Sequence, residues 1–172
     1  MHILNILLVE DSDAISSLIT DLLDYQYQDD FNIKSVFTLK DALVELRMQS
    51  FDIALLDLLL LDNRGIGTLI SIEKLYPRLP IIVISSSSDK DMNIKTAELG
   101  AQNYIPKSQV TGPILASAID TAIIRQRKVN ENSDKLKVAL QRFNESNSNL
   151  ERCAINLTAR LTGKLHDVGQ GA

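Results

Sequence analysis

Short apolar runs alternate with longer segments of helical apolar spacing through the first two thirds of the chain. This alternation restricts the fold more than any other feature. "ILNILLV" (3–9), "NIKSVF" (32–37), "FDIALLD" (51–57), "PIIVISS" (80–86) and "AQNYIP" (101–106) read as five strands. The first, third and fourth are nearly continuous in Ile, Leu and Val, the pattern of strands covered on both faces. Between the runs, "DSDAISSLITDLLDY" opens on good N-cap residues and sets Ile15, Leu18, Ile19 and Leu22 on one helical face. "TLKDALVELRMQ" repeats the spacing with Leu39, Ala42, Leu43 and Leu46. Residues 65–76 and 89–99 follow, the latter stopped by Gly100. Strand–helix alternation implies right-handed βαβ crossovers and a parallel sheet. Five such strands suit an α/β fold with an open, doubly wound sheet and are too few for an eightfold barrel.

Composition narrows the class. At 172 residues, 45% apolar and 23% charged, the chain has a globular rather than a disordered profile. The formal net charge of −4 gives no global basic signature for nucleic acid. Cys153 is the only cysteine, which excludes an intramolecular disulfide and fits a reducing compartment. No apolar run approaches the roughly 20 residues of a membrane span. "ILNILLVE" lacks the basic start and cleavage site of a signal peptide, so a cytoplasmic protein is the default expectation.

From about residue 113 the texture changes to one long helix with heptad spacing. Leu115, Ala122, Val129, Leu136, Phe143, Leu150 and Leu157 fall seven apart. Ile119, Leu140, Ala154, Leu161 and Val168 fill the complementary seam, interrupted by Gln126, Ser133 and Asn147. A sustained 3.5-residue repeat signals a coiled coil, here a homodimer through residues 115–168. The alternative is an amphipathic helix folded back on its own domain. Asn147 argues against it, because a core Asn favours a register-matched parallel pair.

In an open parallel sheet, ligands bind at the carboxyl ends of the strands. Strand one ends in Glu10 and Asp11, strand three in Asp57, strand four in Ser85 and Ser86, and strand five near Lys107. Clustered carboxylates repel one another unless a cation is present, and hard oxygen ligands favour Mg²⁺. A lysine and a small hydroxyl suit the oxygens of a phosphoryl group, and a carboxylate among them can act as nucleophile. Each residue alone has an ordinary explanation. An acid after a strand is commonly an N-cap, Ser85 a turn residue, and Lys107 a solvated lysine. Asp57, set in "LLDLLLL", is the hardest to explain as a cap, and the joint appearance at four strand ends is what marks a site.

Together these pieces resemble the receiver domain of bacterial two-component response regulators. The matching pieces are "ILLVEDS", "DIALLDLLLLDNRG", "PIIVISS" and "GAQNYIPKS", in order across residues 1–125. The resemblance implies a flavodoxin-like sheet of order 2-1-3-4-5, with the coiled-coil signalling helix as residues 126–172. It implies that Asp57 accepts a phosphoryl group from a histidine kinase or phosphotransfer protein. Glu10, Asp11, Asp57 and the backbone carbonyl of Leu59 would hold Mg²⁺. Ser85 would bond a phosphoryl oxygen, Lys107 would pair with Asp57 and then with the phosphate, and Tyr104 would turn inward as an aromatic switch when Ser85 moves. Two positions depart from the family pattern. Leu61 stands where proline is common, with little effect expected. Ser108 stands where a cis proline commonly follows the lysine, and a cis bond before a non-proline residue costs about 2.5–4 kcal/mol. A trans bond is therefore expected, with Lys107 placed differently.

For the output, no helix-turn-helix candidate, zinc spacing or basic stripe follows residue 125, so direct nucleic-acid binding is not expected. Near the end of the chain, His166 and Asp167 with Gln170 resemble the phosphoacceptor box of a histidine kinase, and "LTG" resembles the entry to a diguanylate cyclase domain. A solvated helix end explains them equally. Three readings stand: a phosphorylatable receiver relaying through a coiled-coil dimer to an output domain or downstream protein, a phosphorylation-independent adaptor, and the regulatory front of a histidine kinase or diguanylate cyclase. None places an enzyme within this chain.

Overall fold

The computed structural model describes residues 3–86 and 90–168, the side chains of residues 29, 90 and 160–168 excepted. Five strands form one sheet: β1 (Leu4–Val9), β2 (Phe31–Val36), β3 (Ile53–Leu56), β4 (Ile81–Ser85) and β5 (Asn103–Pro106). All pairings are parallel, in the order β2-β1-β3-β4-β5. Helices α1 (Asp13–Tyr27), α2 (Leu39–Met48), α3 (Gly67–Leu75) and α4 (Lys90–Glu98) link the strands, and α5 (Gly112–Val168) follows β5. This is the doubly wound, flavodoxin-like fold that the resemblance implies.

Strict alternation along the central strands builds two cores. Leu7, Val9, Ala54, Leu56, Ile81 and Val83 point to the face covered by Leu39, Ala42 and Leu46 of α2 and Leu69 and Ile72 of α3. Ile6, Leu8, Ile53, Leu55, Ile82 and Ile84 point to the opposite face, under Ile19 and Leu23 of α1 and Leu115, Ile119 and Ala122 of α5. Both parities are apolar because both faces are covered, hence the near-continuous runs in the sequence. The edge strand β2 instead alternates, with Asn32 and Lys34 exposed, as suits an edge that must not recruit further strands.

Helix ends follow local chemistry. Ser12 caps α1 by accepting from Ile15 N–H at 3.5 Å, and Thr38 caps α2 by accepting from Asp41 N–H at 3.0 Å. Gly100, at φ 100°, closes the turn after α4. A Cβ there would lie 2.9 Å from Glu73 Cγ as well as in the left-handed region.

The chain divides into two compact units, residues 1–128 and 129–172. In the first, α5 is an ordinary sheet-covering helix. Leu115, Ile119 and Ala122 are at most 2% exposed. Tyr27 Oη donates to the Ala116 carbonyl at 3.2 Å and lies 3.0 Å from Asp120 Oδ1. Gln126 is buried with both ends of its amide used, accepting from Gln102 Nε2 at 3.0 Å and donating to the Pro77 carbonyl at 3.1 Å. This corrects the extent of the expected seam. The seam residues Leu115, Ile119, Ala122 and Gln126 cannot face a second copy, because they are already buried within the first unit, and at these positions the folded-back alternative holds. In the second unit the seam residues Leu136, Leu140, Phe143, Leu150 and Leu157 are 59–71% exposed. Among the described residues no helix is long and apolar enough to cross a membrane.

The difference in burial predicts two outcomes. Leu115→Ala should lower the unfolding free energy by about 2–5 kcal/mol. Leu136→Ala should leave the unfolding of the first unit within about 0.5 kcal/mol of wild type. Urea denaturation of the full chain at one low concentration measures both, and equal losses would contradict the assignment.

Candidate functional site

The parallel register brings the ends of four strands to one rim. Glu10 directly follows β1, and its N–H donates to the Val36 carbonyl at 3.0 Å. Asp57 directly follows β3, and its N–H donates to the Val9 carbonyl at 2.9 Å. Both acids are therefore fixed by backbone bonds to neighbouring strands before any side-chain contact is made. Ser85 ends β4 and pairs in register with Pro106. Lys107 follows β5 at the start of a 3₁₀ turn over Lys107–Gln109.

Lys107 reaches across this rim. Its Nζ lies 2.7 Å from Asp57 Oδ2 and 2.7 Å from Glu10 Oε2. The remaining oxygens of both acids accept backbone amides of the loops that follow them. Leu59 N–H donates to Asp57 Oδ1 at 3.1 Å, and Ser12 N–H donates to Glu10 Oε1 at 3.1 Å. Asp57 is 3% exposed and Glu10 1%, so water supplies little of their solvation. Burial pushes the Glu10 carboxyl above its ordinary range, against the opposing pull of Lys107. For Lys107, burial acts to lower the ammonium's pKa. The hydrogen bonds and charges of Asp57 and Glu10 outweigh burial and leave it raised.

Asp11, half-buried, completes the set. One carboxylate oxygen each from Glu10, Asp11 and Asp57 lie within 4.8 Å of one another. Three formal negative charges against one ammonium leave an excess of two, and all donors are hard oxygens. That combination fits a divalent cation of the Mg²⁺ type. The cluster could hold such a metal.

The structure thus brings together Glu10, Asp11, Asp57, Lys107 and the Leu59 backbone. Ser85 is buried at the end of β4. Tyr104 is 7% exposed, its ring already packed inward with the core on the α2 and α3 side. Among the described residues no peptide bond is cis, so Lys107–Ser108 is trans, and the lysine reaches both acids with that bond. Gln170 lies outside the described residues, and of His166 and Asp167 only the helical backbone is described. Sequence reasoning did not single out Asp62, which accepts from Leu39 N–H at 3.1 Å and Lys40 N–H at 3.2 Å. No local pattern marks a contact across more than twenty residues, and an acid in a loop reads as solvated.

Removing the ammonium should expose the electrostatics of this cluster. In the absence of divalent ions, Lys107→Met should cost about 3 kcal/mol near neutral pH, because two buried acids lose their counter-charge. Added Mg²⁺ should recover part of it. The stabilisation from Lys107 is present below pH 10.5 and is lost as pH rises through its raised folded value. The burial cost of Glu10 is absent below pH 4.5 and complete above its raised folded value. The deficit of the variant should therefore be largest near neutrality and shrink toward both extremes. Urea melts across that range measure it, and a deficit independent of pH would contradict the ion-pair account.

Comparison with known proteins agrees with this arrangement. Residues 6–119 match the family model of the response regulator receiver domain. A putative NtrX-like response regulator of Rickettsia bellii is 28% identical over 171 residues, 98% of this chain and 30% of that protein. The transcriptional regulatory protein ZraR of Salmonella typhimurium is 30% identical over 77 residues, 45% of this chain and 18% of that protein. The chain thus spans less than a third of the length of these relatives. Among solved structures, a CheY-like receiver domain protein from Methanospirillum hungatei superposes with a TM-score of 0.65 at 25% identity, covering 73% of this chain and 98% of that one. With the family matched from β1 into α5 and the acids, lysine and hydroxyl residue at the expected strand ends, this chain belongs to the response regulator receiver domain family.

Proposed function

We propose that residues 1–128 form a phosphoacceptor receiver, with Asp57 as the acceptor, and that the helix beyond them relays its state as a coiled-coil dimer. The observation that carries the first part is the bridge from Lys107 to both Asp57 and Glu10 at 2.7 Å. It sets a positive charge beside a buried carboxylate at the end of β3, where that carboxylate can serve as a nucleophile. The donor is the phosphohistidine of a histidine kinase or phosphotransfer protein. An Asp57 oxygen forms a bond to phosphorus as the bond from phosphorus to the donor's imidazole nitrogen breaks, with the electron pair staying on that nitrogen. Glu10, Asp11, Asp57 and the Leu59 carbonyl would hold Mg²⁺, which would supply charge neutralisation for the phosphoryl oxygens when bound. Lys107 passes from the carboxylate to the incoming phosphoryl group. Ser85 donates its hydroxyl to a further phosphoryl oxygen, and Tyr104, on the neighbouring strand β5, is the aromatic switch that responds when Ser85 moves.

The dimer reading rests on the exposed seam from Val129 onward. A row of leucines and one phenylalanine in water is an association surface. Its 3.5-residue spacing fits a second copy of the same helix, and Asn147 within the seam favours a parallel pair in register. The output lies in an attached domain or a downstream protein. The regulators among the relatives, NtrX-like and ZraR, support a response regulator over the front of a histidine kinase or diguanylate cyclase.

Two measurements test these parts separately. Incubation with acetyl phosphate and Mg²⁺ should add one phosphoryl group by intact mass, and Asp57→Asn should abolish it. A wild-type chain that takes no phosphate would support the adaptor reading instead. In sedimentation, the chain should run as a dimer, and Leu140→Asp with Leu150→Asp should leave a folded monomer. A wild-type monomer both with and without the phosphodonor would rule out the coiled-coil relay.

A further inference from the structure

The loop that follows Asp57 is held from three directions. Leu58 and Leu60 turn into the core, 2% and 0% exposed, while Leu59 and Leu61 face outward. Leu59 and Arg64 pair in an antiparallel bridge, and Gly65, at φ 82°, donates its N–H to the Leu58 carbonyl. Residues 58–65 are therefore a small hairpin, and its inner strand presents the Leu59 N–H to Asp57 Oδ1 at 3.1 Å.

The third hold is Asp62, at the outer end of the hairpin. Its two oxygens reach out of the loop to the first two amides of α2, Leu39 N–H at 3.1 Å and Lys40 N–H at 3.2 Å. A carboxylate there meets the positive end of the helix dipole. Helix α2 already carries its own cap, since Thr38 Oγ1 covers the third amide, Asp41 N–H, at 3.0 Å. The Lys40 amide is exposed, and water can serve it nearly as well. What the Asp62 contact adds is a fixed outer end for the loop. The inner leucines and the Leu59 amide hold the other end of the hairpin.

We propose that Asp62 is a positioning residue. By tethering the 58–65 hairpin to the start of α2, it holds the Leu59 backbone where it serves both Asp57 and the divalent cation. The inference rests on the reading of Asp57 as a Mg²⁺-dependent phosphoacceptor. It assigns no contact between Asp62 and either the cation or the phosphate.

The test compares Asp62→Ala, Asp62→Asn and Thr38→Ala in the full chain. Mn²⁺ serves as the probe, with free Mn²⁺ read by electron paramagnetic resonance and labelling by acetyl phosphate read by intact mass. Asp62→Ala should weaken Mn²⁺ binding about tenfold, the scale of losing an outer-shell support. Its labelling should be slow at low Mn²⁺ and approach wild type at saturation, because the reacting groups are intact. Asp62→Asn, which keeps one acceptor oxygen, should fall between. Thr38→Ala removes the cap of α2 itself and leaves the tether. It should lower the melting temperature without changing Mn²⁺ affinity. Wild-type affinity in Asp62→Ala, or an equal loss in Thr38→Ala, would show Asp62 to be only a helix cap and overturn the proposal. A wild-type chain that binds no Mn²⁺ would overturn the phosphoacceptor reading itself, and the tether with it.

Discussion

One ammonium holds the functional end of this fold together. Glu10 and Asp57 are almost fully buried at the ends of adjacent strands, where two ionised carboxylates would otherwise repel each other in poorly solvated surroundings. Lys107 satisfies one oxygen of each, and loop amides satisfy the other. The arrangement is possible only because three strands deliver their next residues to the same place. That delivery depends in turn on the two leucine-rich and isoleucine-rich cores that fix the register of β1, β3 and β5. The apolar interior and the polar rim are two requirements on the same strands: interior residues fix the register, and the residue just past each end carries the chemistry.

The lysine also sets the terms on which a cation can enter. A cluster of three bare acids would bind divalent ions strongly but would be hard to keep folded without them. Here the protein carries its own counter-charge, with Lys107 paired to both Glu10 and Asp57. Asp11, outside the ion pairs described, is the acid nearest to free service as a ligand, and the excess of two negative charges remains for the incoming ion.

Much of this was legible in the sequence, for identifiable reasons. Continuous runs such as "NILLV" and "IIVIS" announce strands covered on both faces, because no polar parity interrupts them. Ser12 and Gly100 sit where a helix start and a helix stop need their particular chemistry. Once five strands are counted, the strand ends follow by topology: Glu10, Asp57 and Lys107 just past β1, β3 and β5, and Ser85 as the last residue of β4. The start of α5 was misread for an equally physical reason. Leu115, Ile119 and Ala122 satisfy heptad spacing, but over three turns a period of 3.5 cannot be told from the 3.6 of any helix lying on a sheet. Gln126 looked like a polar break in a seam and is instead a buried amide joining two loops. The leucines after Asp57 form one continuous run in the sequence, yet alternate residues face opposite ways.

That alternation bears on how the domain can deform. Leu58 and Leu60 act as two pegs driven into the core, and withdrawing either would leave a cavity worth about 2–5 kcal/mol. The wall of the crevice formed by residues 58–65 is therefore stiff. A change of charge at Asp57 would therefore have to be taken up elsewhere than in residues 58–60, which the two buried leucines hold in place. Where this wall of the site resists deformation is set by which of its leucines are buried.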